Sequence, residues 1–189
     1  MSEELAEMVL SEAEEKMRKT LEHTREEFAG VRTGRASSAL VERISVEYYG
    51  QEVPLRQLAS FSIPEARQLV INAYDTNALS AIEKAIRDSD LGLNPSSDGK
   101  VIRLNFPPLT EERRRELVKL VRQLAEEGRV ALRNERRAAR HDLEQMARDG
   151  ELSKDAVQRY EKRLDEMIHR YEAEIDAALE TKEQELLEG

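Results

Sequence analysis

The period at which apolar residues recur changes twice along this chain, and that change constrains the fold most. Apolar residues recur every three or four positions in residues 2–29, again from about 110 to 148, and again from 153 towards the C-terminus. Such spacing is typical of amphipathic helices. Between the first two of these segments, apolar residues recur at every second position, which predicts short strands. Because one amphipathic helix buries its stripe poorly alone, we expect the three long helices to pack together.

The economical architecture is an α+β fold with an inserted domain. Residues 1–30 and 106–189 are predicted to form an elongated three-helix bundle, and residues 31–105 a small inserted α+β domain. The two connections, near 30–35 and 105–108, lie close together and are predicted to act as a hinge. The hinge residues are predicted to be Val31, Thr33, Gly34, Phe106, Pro107 and Pro108. Gly34 is able to take backbone angles that other residues avoid.

Within the inserted domain the pattern predicts five short strands and one helix. The strands are 44–48, 52–55, 60–63, 67–74 and 100–105, with a turn at Gly50-Gln51, and LNPSSDG is expected to be a loop. Thr76 or Asn77 is expected to cap a helix that runs to about residue 89. Tyr48 and Tyr49 could stack on bases, but alternation along the strand favours one ring in the core and the other on the surface.

Charge is distributed unevenly along the helices. The whole chain has a net charge of −9, and the segments 1–30, 31–105, 106–143 and 144–189 sum to −5, 0, +3 and −7. One basic helix therefore lies between two acidic ones, and repulsion would keep the acidic surfaces away from a polyanion. The alternative is that highly charged helices merely solvate their outer faces.

The basic helix carries a row of arginines on one side. At about 100° per residue, Arg129, Arg133, Arg136 and Arg140 share a side, with Arg137 beside them. Guanidinium groups match phosphate oxygens and stay charged, so we expect binding of an RNA backbone and its shape rather than base readout. Gly128 interrupts this helix, where glycine costs about 1 kcal/mol relative to alanine. The core side is predicted to carry Leu117, Leu120, Val121, Leu124, Ala131 and Ala138.

Other functional classes find little support in the sequence. The absence of cysteine excludes disulfides and thiolate chemistry, and the three histidines lie on three different helices without metal-binding spacing. No phosphate-binding glycine loop or nucleophile motif is present. No apolar run reaches the roughly 18–20 residues that span a bilayer, and the acidic N-terminus is unlike a secretory signal. We therefore expect a non-enzymatic, monomeric, cytoplasmic protein without metal, cofactor, DNA or membrane partner.

Several long motifs resemble the ribosome recycling factor family. They are VRTGRAS (31–37), VEYYGQEVPLRQLAS (46–60), EKAIRDSDLGLNP (83–95), PPLTEERRREL (107–117) and RNERR (133–137), in the family's order and over almost the full length. The resemblance implies an L-shaped molecule, a three-helix bundle joined by a hinge to a β/α/β domain. It also implies tRNA mimicry and a role after termination of translation.

The resemblance further implies the partners and the contact residues. With elongation factor G and GTP, the family disassembles the post-termination ribosome, and its bundle binds 23S rRNA of the large subunit. RNERR would place RNA contacts at Arg133, Arg136 and Arg137, and the TGR motif would add Arg32 and Arg35. Arg129 and Arg140 share the helix face. Two alternatives remain open from the residues alone: a coiled-coil adaptor or chaperone that binds an acidic protein, and an enzyme whose site the motifs do not reveal.

Overall fold

The computed structural model describes residues 2–188, and of Ser2 only the backbone. Its helices are α1 (Ser2–Ala29), α2 (Leu79–Arg87), α3 (Glu111–Arg148) and α4 (Lys154–Glu188), and its strands are β1 (Ser45–Tyr48), β2 (Gln51–Pro54), β3 (Ala59–Glu65), β4 (Gln68–Ala73), β5 (Pro95–Ser97) and β6 (Val101–Asn105). Single 3₁₀ turns precede β1, β3 and α2. The α+β fold class is confirmed. No helix among the described residues is apolar over a stretch long enough to cross a membrane.

The long helices begin and end where the sequence predicts. At the start of α3, the Arg113 amide donates to Thr110 Oγ1 over 3.0 Å, and at the start of α4 the Ala156 amide donates to Ser153 Oγ over 3.1 Å. These two side chains satisfy amides that the helix itself leaves unpaired. After α3, Gly150 has a φ of +75°, a left-handed conformation that ends the helix.

The first compact unit contains most of the three long helices. It comprises the described residues up to Phe28 together with Val118–Glu183. Its core is an apolar stripe from each helix, including Leu10, Met17, Leu21, Val121, Leu132, Leu143, Leu164, Ile168 and Ile175. Ion pairs between α1 and α4 include Glu3–Arg159 at 3.0 Å, Glu7–Arg163 at 2.5 Å, Glu14–Arg170 at 3.7 Å and Arg25–Glu174 at 2.9 Å. The partners advance together along both helices, so the two helices run parallel.

The second compact unit comprises Ala29–Leu117 and the described residues from Gln184. Its main sheet has the order β3-β4-β6-β5 with every neighbouring pair antiparallel, and β1 and β2 form a separate hairpin. The helix α2 contributes Ile82 and Ile86 to the apolar core, where they meet residues from the sheet, the hairpin and the loop after α1. This core is distinct from that of the bundle.

Three local predictions for the inserted segment were wrong. Residues 95–97, expected in a loop, form β5, an edge strand where proline is tolerated because the proline nitrogen need not donate. The hairpin turn is Tyr49-Gly50 rather than Gly50-Gln51. Neither Thr76 nor Asn77 caps α2, whose cap position is Ala78. Asp75 instead caps the 3₁₀ turn before α2, since its carboxylate accepts from the Asn77 amide over 2.9 Å.

Candidate nucleic-acid interface

The helix α3 is divided lengthwise into a buried stripe and a wide exposed face. Its 38 residues extend over about 57 Å. The buried stripe is Leu117, Val121, Ala125, Gly128, Leu132, Ala139 and Leu143. The sequence-based stripe was therefore rotated slightly from the observed one: Leu120 is 43% exposed and Ala138 is also exposed. The residues at 125, 128 and 139 are small and only weakly apolar, so the sequence pattern did not show where the centre of the buried stripe lies.

At Gly128, the backbone of α3 faces side chains of both α1 and α4. A Cβ atom at this position would be 2.7 Å from Thr24 Oγ1 of α1 and 3.1 Å from Ile175 Cδ1 of α4. The first distance is below van der Waals contact, so the absence of a side chain permits the packing of α1 on α3. The lower helix propensity of glycine is thus offset by closer packing of the three helices.

Three of the predicted arginines line the seam between α3 and α4. Arg129 Nη2 lies 2.5 Å from Asp176 Oδ1, Arg136 Nη1 lies 3.4 Å from Asp165 Oδ1, and Arg140 Nε lies 3.4 Å from Glu161 Oε1. Nearer the start of α3, Arg122 pairs with Glu183 at 2.6 Å. The order of the partners shows that α3 and α4 are antiparallel, and the pairs form a ladder along their seam.

The arginines of the ladder differ in how much solvent they meet. The Arg129 side chain, which also contacts Glu126, is only 22% exposed, whereas the Arg140 side chain is 56% exposed. The hydrogen bond to Asp176 raises the pKa of Arg129, with a smaller contribution from Glu126. Surface ion pairs contribute about 0–1 kcal/mol each, so a phosphate group can replace such a carboxylate at little cost.

Arg133 and Arg137 are placed differently from the ladder. Within the described residues, the ion pair of Arg133 is with Glu126 of its own helix, at 3.3 Å, and the Arg133 side chain is 47% exposed. Arg137 is exposed and forms no ion pair with any residue in the range 2–188. At about 100° per residue, Arg137 lies farther from the α4 seam than the other four arginines. Among the five predicted arginines of α3, the charge most available to a polyanion is therefore that of Arg137, followed by Arg133.

The two arginines of the VRTGRAS motif have unequal surroundings. The Arg32 guanidinium donates through Nη2 to the Pro107 carbonyl oxygen, and its Nε is buried without a partner. Burial lowers the pKa of Arg32, and the nearby Arg113 charge lowers it further. Arg35 is exposed, with Nη2 3.9 Å from Glu188 Oε2. Arg35 is thus a surface cation, whereas Arg32 ties the segment after α1 to the segment before α3.

The predicted hinge residues divide into buried and exposed groups. Val31, Thr33, Gly34 and Phe106 are buried, and Phe106 is among the largest fully buried side chains. Its amide also donates to the Arg67 carbonyl over 2.7 Å. Pro107 and Pro108 are exposed.

A groove of about 440 Å³ between α1 and α3 is a feature that sequence reasoning missed. In it, the Thr20 hydroxyl donates to Glu135 Oε1 over 2.6 Å, while Glu135 Oε2 is buried without a partner. Burial raises the pKa of Glu135, and the hydrogen bond from Thr20 opposes that shift. A glutamate on a helix as charged as α3 gives no sequence signal that it faces a neighbouring helix.

The histidines do not form a metal or catalytic site in the part of the chain that the structure describes. All three are exposed, and His23 Nε2 lies 2.6 Å from Glu27 Oε1 of the same helix. Within residues 2–188 no group of three histidine or carboxylate side chains could hold a metal ion.

Comparison with known proteins assigns the family. A family model described as "Ribosome recycling factor" matches residues 24–187. The chain is 58% identical to the ribosome-recycling factor of Acidothermus cellulolyticus and 54% identical to that of Rubrobacter xylanophilus. The alignments cover 95% of this chain in both cases, and 97% and 96% of the relatives. The chain belongs to the ribosome recycling factor family. The resemblance noted from the motifs is thereby confirmed.

Solved structures of ribosome recycling factors agree with this assignment. A solution structure superposes with a TM-score of 0.82 at 48% identity, and the match covers 97% of this chain and 98% of that one. A second structure superposes with a TM-score of 0.71 at 49% identity, and the match covers 96% of this chain and 98% of that one. It is to models for the T. thermophilus ribosome recycling factor and the E. coli elongation factor G bound to the E. coli post-termination complex. The chain is thus a non-catalytic translation factor of ribosome recycling, and the adaptor alternative finds no support.

Proposed function

We propose that α3 is the surface through which this ribosome recycling factor binds 23S rRNA of the large subunit. The single observation that carries the proposal is Arg137, an exposed guanidinium with no carboxylate partner in residues 2–188, one turn from the half-exposed Arg133. Both groups are free to contact phosphate oxygens without first breaking a bond to another helix.

The ladder arginines join the interface in a second step. Arg129, Arg136 and Arg140 exchange the carboxylates of α4 for phosphates as the RNA approaches. This exchange is supported by the small contribution of surface ion pairs. Arg35, also exposed, adds a further contact, while Arg32 contributes mainly by holding the Pro107 carbonyl. Recognition is of backbone and shape, since these residues offer no base-specific geometry.

Elongation factor G is proposed as the partner that supplies the driving force. The T. thermophilus relative is represented with that factor on a post-termination complex. With elongation factor G and GTP, the present chain disassembles that complex and releases ribosomes from mRNA. The chain has no chemistry of its own and acts by binding the split state of the ribosome better than the joined one.

The two connections at 30–35 and 105–108 are proposed to permit motion between the bundle, residues 1–30 and 106–189, and the inserted domain, residues 31–105. Of the predicted hinge residues, Pro107 and Pro108 are the exposed ones, so bending there would disturb the least packing. We further infer that the chain is cytoplasmic and monomeric. A Pro108→Gly variant should bind ribosomes normally but split them more slowly, and an equal loss of both activities would count against a hinge.

The test is sucrose-gradient analysis of post-termination ribosomes with elongation factor G and GTP. The full chain should convert 70S particles to subunits, and omission of any one component should prevent it. Arg137→Ala should reduce splitting several-fold, because one phosphate contact is lost.

Lys162→Ala provides the matched control. Lys162 is exposed on α4 and forms no ion pair with a described residue, so the two variants remove the same charge from different faces. The control should split ribosomes as the original chain does. Equal behaviour of the two variants would show that net charge, rather than the α3 face, governs binding.

A further inference from the structure

The groove between α1 and α3 has the size of a small-molecule site. Its volume of about 440 Å³ lies within the range of roughly 300–1,000 Å³ that is usual for ligand pockets. Gly128 and Ala131 supply the α3 side of its floor, and Thr24 supplies part of the α1 side. Because Gly128 has no side chain and Ala131 only a methyl group, the floor leaves room for the methylene groups of a ligand.

One end of the groove holds charged groups that lack partners. Glu135 Oε2 is buried without a hydrogen-bond partner among residues 2–188, although the Thr20 hydroxyl donates to Oε1 of the same side chain. Lys16 and Lys19, both within one helical turn of Thr20, line the groove and form no ion pair with a described residue. The Lys16 charge opposes the rise that burial produces in the pKa of Glu135, so this ammonium lies near the carboxylate. This end therefore has an acceptor without a donor and two cations without an anion.

The other end of the groove is acidic. Glu127 lines it eight residues before Glu135 on α3, which is about 12 Å along the helix. The Glu127 side chain is exposed and forms no ion pair in the part of the chain that the structure describes. Glu27 of α1 also lines the groove, and its Oε1 lies 2.6 Å from His23 Nε2. Glu127 is thus the carboxylate available to a cation there.

We propose that this groove binds a free α-amino acid with a cationic side chain, such as lysine. The α-ammonium group donates to Glu135 Oε2, and the α-carboxylate lies between the ammonium groups of Lys16 and Lys19. The methylene groups cross the glycine floor, and the side-chain ammonium pairs with Glu127. Each polar group of the ligand then makes a charge-assisted hydrogen bond, and these are about twice as strong as neutral ones.

The charges of the groove favour this ligand over two simpler ones. A diamine would place two further positive charges beside Lys16 and Lys19 without supplying an anion, and a phosphate group would face the carboxylates of Glu127 and Glu135. A zwitterion with a second cation satisfies both sets of groups. The groove contains none of the arginines proposed to contact rRNA, so this inference does not rest on that proposal.

Binding of lysine analogues to the full chain tests the proposal. Isotope-labelled protein is titrated with L-lysine, and we expect a saturable change in the NMR signal of the Gly128 amide. L-Norleucine lacks only the side-chain ammonium, cadaverine only the carboxylate and 6-aminohexanoate only the α-ammonium. Each should bind at least about tenfold more weakly, because one charge-assisted bond is lost. No saturable change with lysine, or equal affinity for any one analogue, would overturn the proposal.

Substitutions then locate the site. Glu135→Gln keeps an acceptor for the Thr20 hydroxyl but removes the charge, so lysine should bind at least about tenfold more weakly. Glu166→Gln, with the same charge change at an exposed position of α4, is the matched control and should bind lysine as the original chain does. Ala131→Leu fills the floor and should abolish binding. Equal loss in Glu135→Gln and its control, or unchanged binding by Ala131→Leu, would show that lysine does not occupy this groove. The analogue series needs no substitution, so it decides the matter even if a variant misfolds.

Discussion

The two seams of α3 are built on different principles. Against α4, exposed ion pairs such as Arg136–Asp165 line the contact, and water reaches both partners. Against α1, Gly128 brings the backbone so close that Thr24 Oγ1 occupies the place of a side chain. The first seam can exchange its partners without loss of the core, whereas the second cannot shift without a clash. A long helix can therefore be held rigidly on one side and offer replaceable contacts on the other.

The largest expected effect is at the close-packed seam. Gly128→Ala should lower the free energy of unfolding by about 1–3 kcal/mol, because the added Cβ would overpack the contact with Thr24. Thermal or denaturant unfolding measures this, and adding Thr24→Ala should restore part of the loss. An increase of about 1 kcal/mol in the free energy of unfolding, as expected at an exposed helical glycine, would show that α1 and α3 are not closely packed there.

The next largest effect is expected at the seam between α3 and α4. Asp176→Asn should free Arg129 from its strongest partner, so large-subunit binding should tighten about two- to threefold if phosphate and carboxylate compete for that guanidinium. Stability should fall by no more than about 1 kcal/mol. Filter binding at fixed salt measures the affinity. Glu166→Gln, at an exposed α4 position with the same charge change, is the control. If both variants bound the large subunit equally more tightly, the effect would be one of net charge rather than of competition for Arg129.

A smaller effect distinguishes the two classes of arginine by stability. Arg129→Ala should destabilise the chain by up to about 1 kcal/mol, since the side chain is largely covered and contacts two carboxylates. Arg137→Ala should change the free energy of unfolding by less than about 0.5 kcal/mol. Paired denaturant titrations compare them. If Arg137→Ala proved the more destabilising, that residue would be part of the packing rather than of a free surface.

The smallest effect is a pH dependence at the α1 seam. Burial raises the pKa of Glu135 in the folded chain above its value in the unfolded chain. The folded state therefore holds the proton more strongly, and stability falls as pH rises from about 4.5 through the raised pKa. Glu135→Gln should remove this decline while keeping an acceptor for the Thr20 hydroxyl. Unfolding measured across pH 4–7 tests it, and an unchanged slope would mean that Glu135 is solvated.

The sequence predicted the helices better than the surface they present. Periodicity and the caps Thr110 and Ser153 defined α3 and α4 because both signals are local. The partners of Arg129 and Arg136 could not be predicted, since they depend on the register between two helices rich in both charges. Similarly, Tyr48 could be placed inward by alternation, but its bond to Asp75 joins positions 27 residues apart. The strand β5 was missed because its proline and serines read as a loop.

The most direct test is the salt dependence of large-subunit binding by two double variants. For the unmodified chain, the logarithm of the binding constant should fall with the logarithm of salt concentration with a slope of several units. Replacing Arg133 and Arg137 by alanine should reduce the magnitude of that slope by about 2. Binding should also weaken, because these two groups are proposed to contact the RNA first. Replacing Arg129 and Arg136 should have a smaller effect, because those groups must first leave Asp176 and Asp165. A flat salt response, or a larger loss from the second pair than from the first, would contradict the assignment of the outward face of α3 to RNA.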